Sequence, residues 1–309
     1  MPDLASCKLC GGLLKAQFTA VRDPQTNQTF SILECTQCGL GHTSPQPENL
    51  GEYYGPTYHG GRHSFTARRA IARRLGIVEE VAGPGYCRNL LDVGCGDGSF
   101  LKAAQARSGW VIAGTEINPV AARASGIEVC DSIEEVGAVA GPFHCITLWH
   151  SLEHLRDPVA ALKTLSGFLV TGGVLIASVP NFSGLQAQAF GADWFHLDVP
   201  RHLYHFGRRS LSLALDAAGL ACFRKWDQEF EYDLFGWSQS ALNQFMPTRN
   251  GFFNQLTGKA GTTNRLEQIT NLAVGTILTG LSIPAVVAGS RFKSGGTVVM
   301  AARRSGAEA

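Results

Sequence analysis

An apolar run at 90–93 ends in Gly94-Cys95-Gly96-Asp97-Gly98, and a helical pattern opens at Ser99. Few features restrict a chain more. A strand that enters a helix through alternating glycines belongs to a βαβ unit, because glycine takes the positive φ of such a turn and lets the backbone close on a ligand. The free amides at the start of the helix then face a polar or anionic group. A glycine loop alone does not say which ligand, and the stretches around it narrow the choice. Asp92 sits inside the strand before the loop. A second strand at 111–117 carries Glu116 near its end, where a carboxylate accepts hydrogen bonds from two ribose hydroxyls. A third, at 145–148, runs into Trp149-His150 and Leu152-Glu153-His154-Leu155. A helix at 158–169, a turn at Thr171-Gly172-Gly173 and a strand at 174–179, stopped by Pro180-Asn181, follow. Strand and helix alternate throughout, so the expected class is α/β with a doubly wound parallel sheet.

The nine cysteines divide into two groups. Cys87, Cys95, Cys130, Cys145 and Cys222 stand singly, while Cys7, Cys10, Cys35 and Cys38 form two CxxC pairs separated by 24 residues. The knuckles CKLCGG and CTQCGL have the spacing of a structural zinc ribbon, each giving two thiolates to one tetrahedral Zn2+. The glycine after each second cysteine suits a tight turn with positive φ. Short strands are expected at 16–21 and 29–33 around a turn at 23–27. Cysteine fills all four positions and leaves none open to substrate, so the metal is expected to be structural. A ribbon of ~40 residues is too small to fold without its ion. The competing reading is four ordinary reduced cysteines.

Net charge is +1 over 309 residues, so no whole-molecule field attracts nucleic acid. Residues 1–58 hold Lys8, Lys15 and Arg22 against Asp3, Asp23, Glu34, Glu48 and Glu52, and this acidic balance argues against a grip on RNA. The first six residues lack the basic start of a secretion signal, and a cytoplasmic location is expected. The stretch 43–59 is rich in Pro, Gly and Tyr; Tyr53, Tyr54 and Tyr58 either roof a pocket or anchor the ribbon. A helix at 64–81 carries Arg68, Arg69, Arg73 and Arg74, read as a solvated face or as a stripe for a phosphate-bearing ligand.

LLDVGCGDG, GTEIN, LWHSLEHLRDP and LVTGGVLIASVPN resemble the successive motifs of class I S-adenosylmethionine-dependent methyltransferases. The resemblance implies a Rossmann-like sheet and S-adenosylmethionine as cofactor. It places Asp92, Gly94, Gly96 and Gly98, with Cys95 in the same loop, around the methionine part. It puts Glu116 on the ribose, Ile117 against the adenine and Asp131-Ser132 near the adenine edge. Trp149 and His150 fall where the family lines the transferable methyl. DWFHLDVPRHLYHF at 193–206 and the double CxxC with its trailing tyrosines resemble a zinc-ribbon subgroup. That subgroup is similar to methyltransferases of sugar, surface-polysaccharide and secondary-metabolite pathways. The likeness runs from Cys7 to about residue 220. One departure is Phe143-His144, where the family usually has an Asp after the Phe.

A sulfonium methyl is already activated, so the protein mainly aligns the acceptor with it. A hydroxyl or carbon acceptor also loses a proton, and histidine is the natural base near neutral pH. In sugar C-methyltransferases that this chain resembles, the histidine of an EH pair is the base, and Glu153-His154 matches that pair. Otherwise His154 caps the next helix and Glu153 orients a histidine or the substrate. His202, with Arg201, is the second candidate, and the alternative is that its segment is a structural lid.

The expected sixth and seventh strands lie at 222–229 and 295–303. Between them an insertion, 230–294, contains 23 residues, 268–290, without a charge. That length spans a bilayer. Flanking strands that pair in one sheet would leave both ends on one side, so a single crossing is excluded. Three destinations remain: a membrane surface with Arg291 and Lys293 at the headgroups, a homodimer contact, or the core. Under the first, the protein is peripheral at the inner face of the membrane. The expected organisation is 1–45 zinc ribbon, 46–88 linker and leading helix, 89–229 cofactor-binding core, 230–294 hydrophobic helical insertion and 295–309 last strand and tail. The expected activity is O- or C-methylation of a small-molecule, sugar or lipid-linked acceptor. The rivals are an interaction module on a silent methyltransferase fold and an RNA methyltransferase.

Overall fold

The computed structural model describes residues 6–54, 65–83, 85, 88–259 and 262–304. Tyr58, His63 and Cys87 lie outside them. The chain forms two compact units interleaved in sequence. The first draws on residues up to 62, 180–211 and 226–298; the second on 63–179, 212–225 and residues from 299.

The elements run as follows. β1 (Leu14–Arg22), β2 (Thr29–Cys35) and β3 (Gly41–Ser44) begin the first unit. The second unit starts with α1 (Phe65–Ala82), β4 (Asn89–Val93), α2 (Ser99–Ser108), β5 (Val111–Thr115), α3 (Val120–Ala124) and β6 (Val129–Cys130). It continues through α4 (Ile133–Val139), β7 (Phe143–Trp149), α5 (Pro158–Phe168) and β8 (Leu169–Pro180). Then come α6 (Leu185–Phe190), β9 (Tyr204–His205), α7 (Arg208–Ala217) and β10 (Leu220–Trp226). The insertion supplies α8 (Phe230–Asn243), α9 (Gly251–Thr257), α10 (Arg265–Leu281) and α11 (Ile283–Arg291), and β11 (Thr297–Arg304) closes the chain.

In the second unit a seven-stranded sheet has the order β10-β11-β8-β7-β4-β5-β6. β4 is parallel to β5 and β7, β5 to β6, and β7 to β8. Leu90, Leu91, Cys145, Ile146, Leu148, Leu175, Ile176 and Ala177 are wholly buried, as strands covered on both faces require. Each such aliphatic side chain contributes ~1.5–3 kcal/mol through burial. Strand order reverses at β4 and β7, and the crevice at their carboxyl ends is where such sheets bind ligands. Asp157 caps α5 by accepting from the Ala160 N–H, with Pro158 in the first turn. The turn expected at 171–173 is instead an irregularity within β8. Phe143 pairs with Leu169 but Cys145 with Val174, and Gly172 takes a φ of +75°. His144 replaces the family's Asp usefully: its Nδ1 accepts from the Asn89 N–H at 3.1 Å, joining β7 to the start of β4.

In the first unit β1, β2, β3 and β9 form a sheet in that order. Gly41 and His42 pair antiparallel with His205 and Tyr204. The 193–206 segment therefore completes the sheet of the cysteine region and covers an edge that would otherwise be open. Val21, Phe30, Ile32 and Tyr53 share one core with Phe182, Trp194, Leu197 and Val199. Tyr53 is thus an anchor: its ring packs in that core and its hydroxyl donates to Gln28 at 2.6 Å. α10 packs on α8 and α9. The core reading of 268–290 does not hold, because Ile269, Ile277 and Leu281 are 64%, 62% and 70% exposed.

Candidate active site

The glycine loop leaves β4 with Gly94, Gly96 and Gly98 all at positive φ, +75°, +59° and +77°. The three face different surroundings. A Cβ on Gly94 would meet the Ser151 Cβ at 2.7 Å, and one on Gly98 the Ile127 Cδ1 at 2.0 Å. A Cβ on Gly96 would meet nothing within 4 Å. Gly94 and Gly98 are therefore packing glycines, and Gly96 is where the backbone stands open for a ligand. Glu116, just past β5, is buried, and its two carboxylate oxygens accept from the N–H groups of Gly96 at 2.8 Å and Asn118 at 3.1 Å. This ties the acid to the loop and leaves each oxygen a second lone pair for a ribose hydroxyl. Ile117, beside it, is 73% exposed. An aliphatic side chain left in water at that place suits the face of a planar ring. Asp92 accepts from the Thr147 hydroxyl at 2.7 Å, and burial pushes its carboxyl up to about 7. Cys95 is buried, and burial raises its thiol above the ordinary range.

The carboxyl end of β7 carries the next group. Trp149 packs edge-on against Phe100 with ring centroids 5.8 Å apart, and the Arg74 guanidinium lies 5.0 Å from its ring centroid. One arginine of the α1 stripe thus belongs to the site, which its sequence pattern did not distinguish from its neighbours. His150 is held at a φ of +55°, a left-handed conformation uncommon outside glycine and often kept at functional sites. Its Nδ1 is 3.6 Å from Glu153 Oε1, and its Nε2 is 3.5 Å from the Ser178 hydroxyl. Glu153, in a 3-10 turn over Leu152–His154, is 1% exposed. A ring nitrogen of the half-buried His154 lies within 4.8 Å of a Glu153 carboxylate oxygen. One buried acid thus lies close to two histidines, and Ser178, which sequence reasoning passed over, reaches the His150 ring from β8.

Asp131 and Ser132 sit after β6 in evident local roles. The Asp131 carboxylate accepts from Arg123 at 2.6 Å on the surface, and the Ser132 hydroxyl accepts from the Glu135 N–H at the start of α4. His202 belongs to the first unit. Its Nδ1 donates to the His196 carbonyl at 2.8 Å, and its Nε2 stands 4.0 Å from Asp198 Oδ2. Arg201 is 1% exposed and donates to Asp23, to Asp198 and to the Tyr53 carbonyl. Its donors are taken up in fastening the 193–206 segment to the sheet of the cysteine region.

The four cysteines converge in the first unit. Cys7 and Cys38 sulfurs are 3.5 Å apart, Cys10 and Cys35 3.4 Å, and all four lie within 4.8 Å of one another. Zn–S bonds of ~2.3 Å give tetrahedral edges of roughly 3.8 Å, so the cluster has the size of one such ion. Gly11 and Gly39 both take a φ of +73°, as the knuckles require. Burial raises the Cys35 thiol, but the Cys38 and Gln37 amides outweigh it and bring it down to about 7. His42, wholly buried, adds a ring nitrogen 3.4 Å from the Cys7 sulfur, a contact the spacing of the cysteines could not reveal.

The family model described as a methyltransferase domain matches residues 59–224, more than half of the chain. The chain belongs to the class I S-adenosylmethionine-dependent methyltransferases. Among curated proteins it is similar to the ubiquinone biosynthesis O-methyltransferase of Escherichia coli, 30% identical over 141 residues. That match takes in 41% of this chain and 58% of the relative, so the chain spans little more than half the length of such relatives. Among solved structures it is similar to the cyclopropane synthase MmaA2 from Mycobacterium tuberculosis, with a TM-score of 0.48, 16% identity, and 80% and 90% of the two chains covered. It is also similar to a SAM-dependent methyltransferase from Archaeoglobus fulgidus, with a TM-score of 0.45, 18% identity, and 76% and 93% covered.

Proposed function

We propose that this protein transfers a methyl group from S-adenosylmethionine to a hydroxyl of a small acceptor, with a carbon acceptor as the second case. The observation that carries the reading is the open Gly96 backbone bonded to the buried Glu116 and flanked by the exposed Ile117. The cofactor would supply an activated methyl whose leaving group is a neutral thioether. The loop from Gly94 to Gly98, through its open Gly96 backbone, would hold the methionine end with Asp92; Glu116 would hold the ribose and Ile117 the adenine. Trp149, braced by Phe100 and Arg74, excludes water beside His150. Glu153 orients the His150 ring and supports His154, which takes the acceptor proton.

The same reading gives the four cysteines one structural Zn2+. The acceptor class is a sugar or a lipid-linked small molecule, supported by the ribbon and PRHL segments and by the apolar face of the insertion.

The test is calorimetry with S-adenosylmethionine on wild type and Glu116→Ala, with zinc measured in the same samples. Wild type is expected to bind at about micromolar, and the variant at least roughly tenfold more weakly, since two ribose hydrogen bonds go. No binding by zinc-loaded wild type sinks the enzyme reading in favour of an interaction module. His154→Ala is then expected to lower turnover about 100-fold with cofactor affinity unchanged.

A further inference from the structure

α10 carries its polarity inside out. Leu266, Ile269, Ile277 and Leu281 share one helical face and are 74%, 64%, 62% and 70% exposed. The opposite face, packed on α8 and α9, buries Asn271 and Gly275. α11 continues the pattern, exposing Ile283 and Val287, and Phe292 just beyond it is 73% exposed. A helix at a water surface does the reverse, turning its apolar stripe inward. The cost here is doubled. The buried Asn271 amide finds no hydrogen-bond partner among the described residues, and the outward leucines and isoleucines remain wetted. Such a helix fits a medium that is apolar on its outer side. By length and composition 265–291 matches a membrane segment, and only 17% of its most apolar window is buried.

We propose that the outer face of α10 and α11 lies on an anionic lipid surface, in the plane of the headgroups. Charge selects lipid over a second copy of this chain. Residues 268–290 carry no charge, and exposed cations close both ends: Arg265 at one, Arg291 and Lys293 at the other. The nearest acid, Glu267, is engaged by the Thr248 N–H at 3.0 Å, and bonds from Thr262 and Thr248 hold its carboxyl below the usual range. Two copies joined in parallel through this face would set Arg291 and Lys293 against their own counterparts; joined antiparallel, those two cations would meet Arg265 with Glu267 as the one acid, a surplus of positive charge at each end. Anionic headgroups answer both ends at once. The helix lies along α8 and α9 rather than projecting from them, so its apolar side sinks to the acyl boundary without crossing. This inference does not depend on the methyltransferase reading.

Vesicle flotation of the 309-residue, zinc-loaded chain tests it without cofactor or acceptor. Vesicles of phosphatidylcholine with phosphatidylglycerol are compared with phosphatidylcholine alone. Wild type is expected to float with the anionic vesicles, and less so in high salt. Ile269→Asp/Ile277→Asp is expected to float at least about tenfold less, with unchanged far-ultraviolet circular dichroism and zinc content. Arg291→Glu/Lys293→Glu is expected to lose the preference for anionic vesicles. Absence of wild-type flotation would overturn the proposal. So would a stable dimer in sedimentation velocity that the double aspartate variant dissociates while wild type ignores vesicles; that result would assign the face to a second copy.

Discussion

Gly94 and Gly96 share a left-handed backbone, yet the structure gives them separate work. Gly94 closes on Ser151, whereas Gly96 opens on nothing. Alanine at Gly94 is expected to destabilise the fold by about 2 kcal/mol through φ strain and crowding together. Alanine at Gly96 adds only the strain, about 1 kcal/mol, but puts a methyl where the cofactor would lie. Urea unfolding beside cofactor calorimetry separates the two: Gly96→Ala should lose more binding and less stability than Gly94→Ala. Asp92 offers a second residue-scale test. Burial raises its pKa to about 7 against 3.8 for an ordinary Asp, with the Thr147 hydroxyl and Arg74 opposing the rise. The native state therefore holds the proton more tightly. That contribution is complete below about pH 4 and is lost as pH climbs through 7. Asp92→Asn keeps the neutral shape, so it is expected to exceed wild type in stability by roughly 1–3 kcal/mol near pH 8 and to match it near pH 4. Equal stability at both pH values would show the carboxylate to be better solvated than its burial implies.

At the scale of elements, the alternating strands and helices were legible because continuous apolar runs and a glycine loop admit few other folds. The bulge inside β8 was not, since Thr171-Gly172-Gly173 reads locally as a turn and only pairing with β7 carries the strand through it. β9 was also hidden: two residues have no period, and their strand character comes from the edge that β3 offers. α10 was legible as apolar, but not as to which side faces out. Gly275 records that choice, because a Cβ there would meet the Phe252 ring at 2.5 Å. Gly275→Leu is expected to cost about 1–3 kcal/mol by overpacking, while Ile277→Asp on the outer face leaves the unfolding midpoint nearly unchanged. A reversed order of the two would mean that α10 packs through its other side.

For the whole molecule, the cysteine region and the 180–211 stretch share one core within the first unit. Phe30 and Ile32 of the cysteine region pack with Phe182, Trp194 and Leu197, and Arg201 pairs with Asp23 at 3.0 Å inside that core. Metal removal is therefore expected to do more than loosen a knob. Treatment with a chelator should release one zinc per chain and speed hydrogen exchange across both 6–44 and 180–206. Exchange that rises only in 6–44 would show the ribbon to be energetically separate.

The sequence by itself determined the chemistry on offer. It set the glycine loop, the acid at 116, the EH pair and four cysteines at knuckle spacing, because each depends on residue type at short range. Tertiary structure decided which of these groups meet. It joined Glu116 to the Gly96 amide, set Glu153 against His150, took up Arg201 in a buried clamp and turned the leucines of α10 outward. Those outcomes rest on contacts between residues far apart in the chain, where packing and the need to satisfy buried polar groups outweigh local preference.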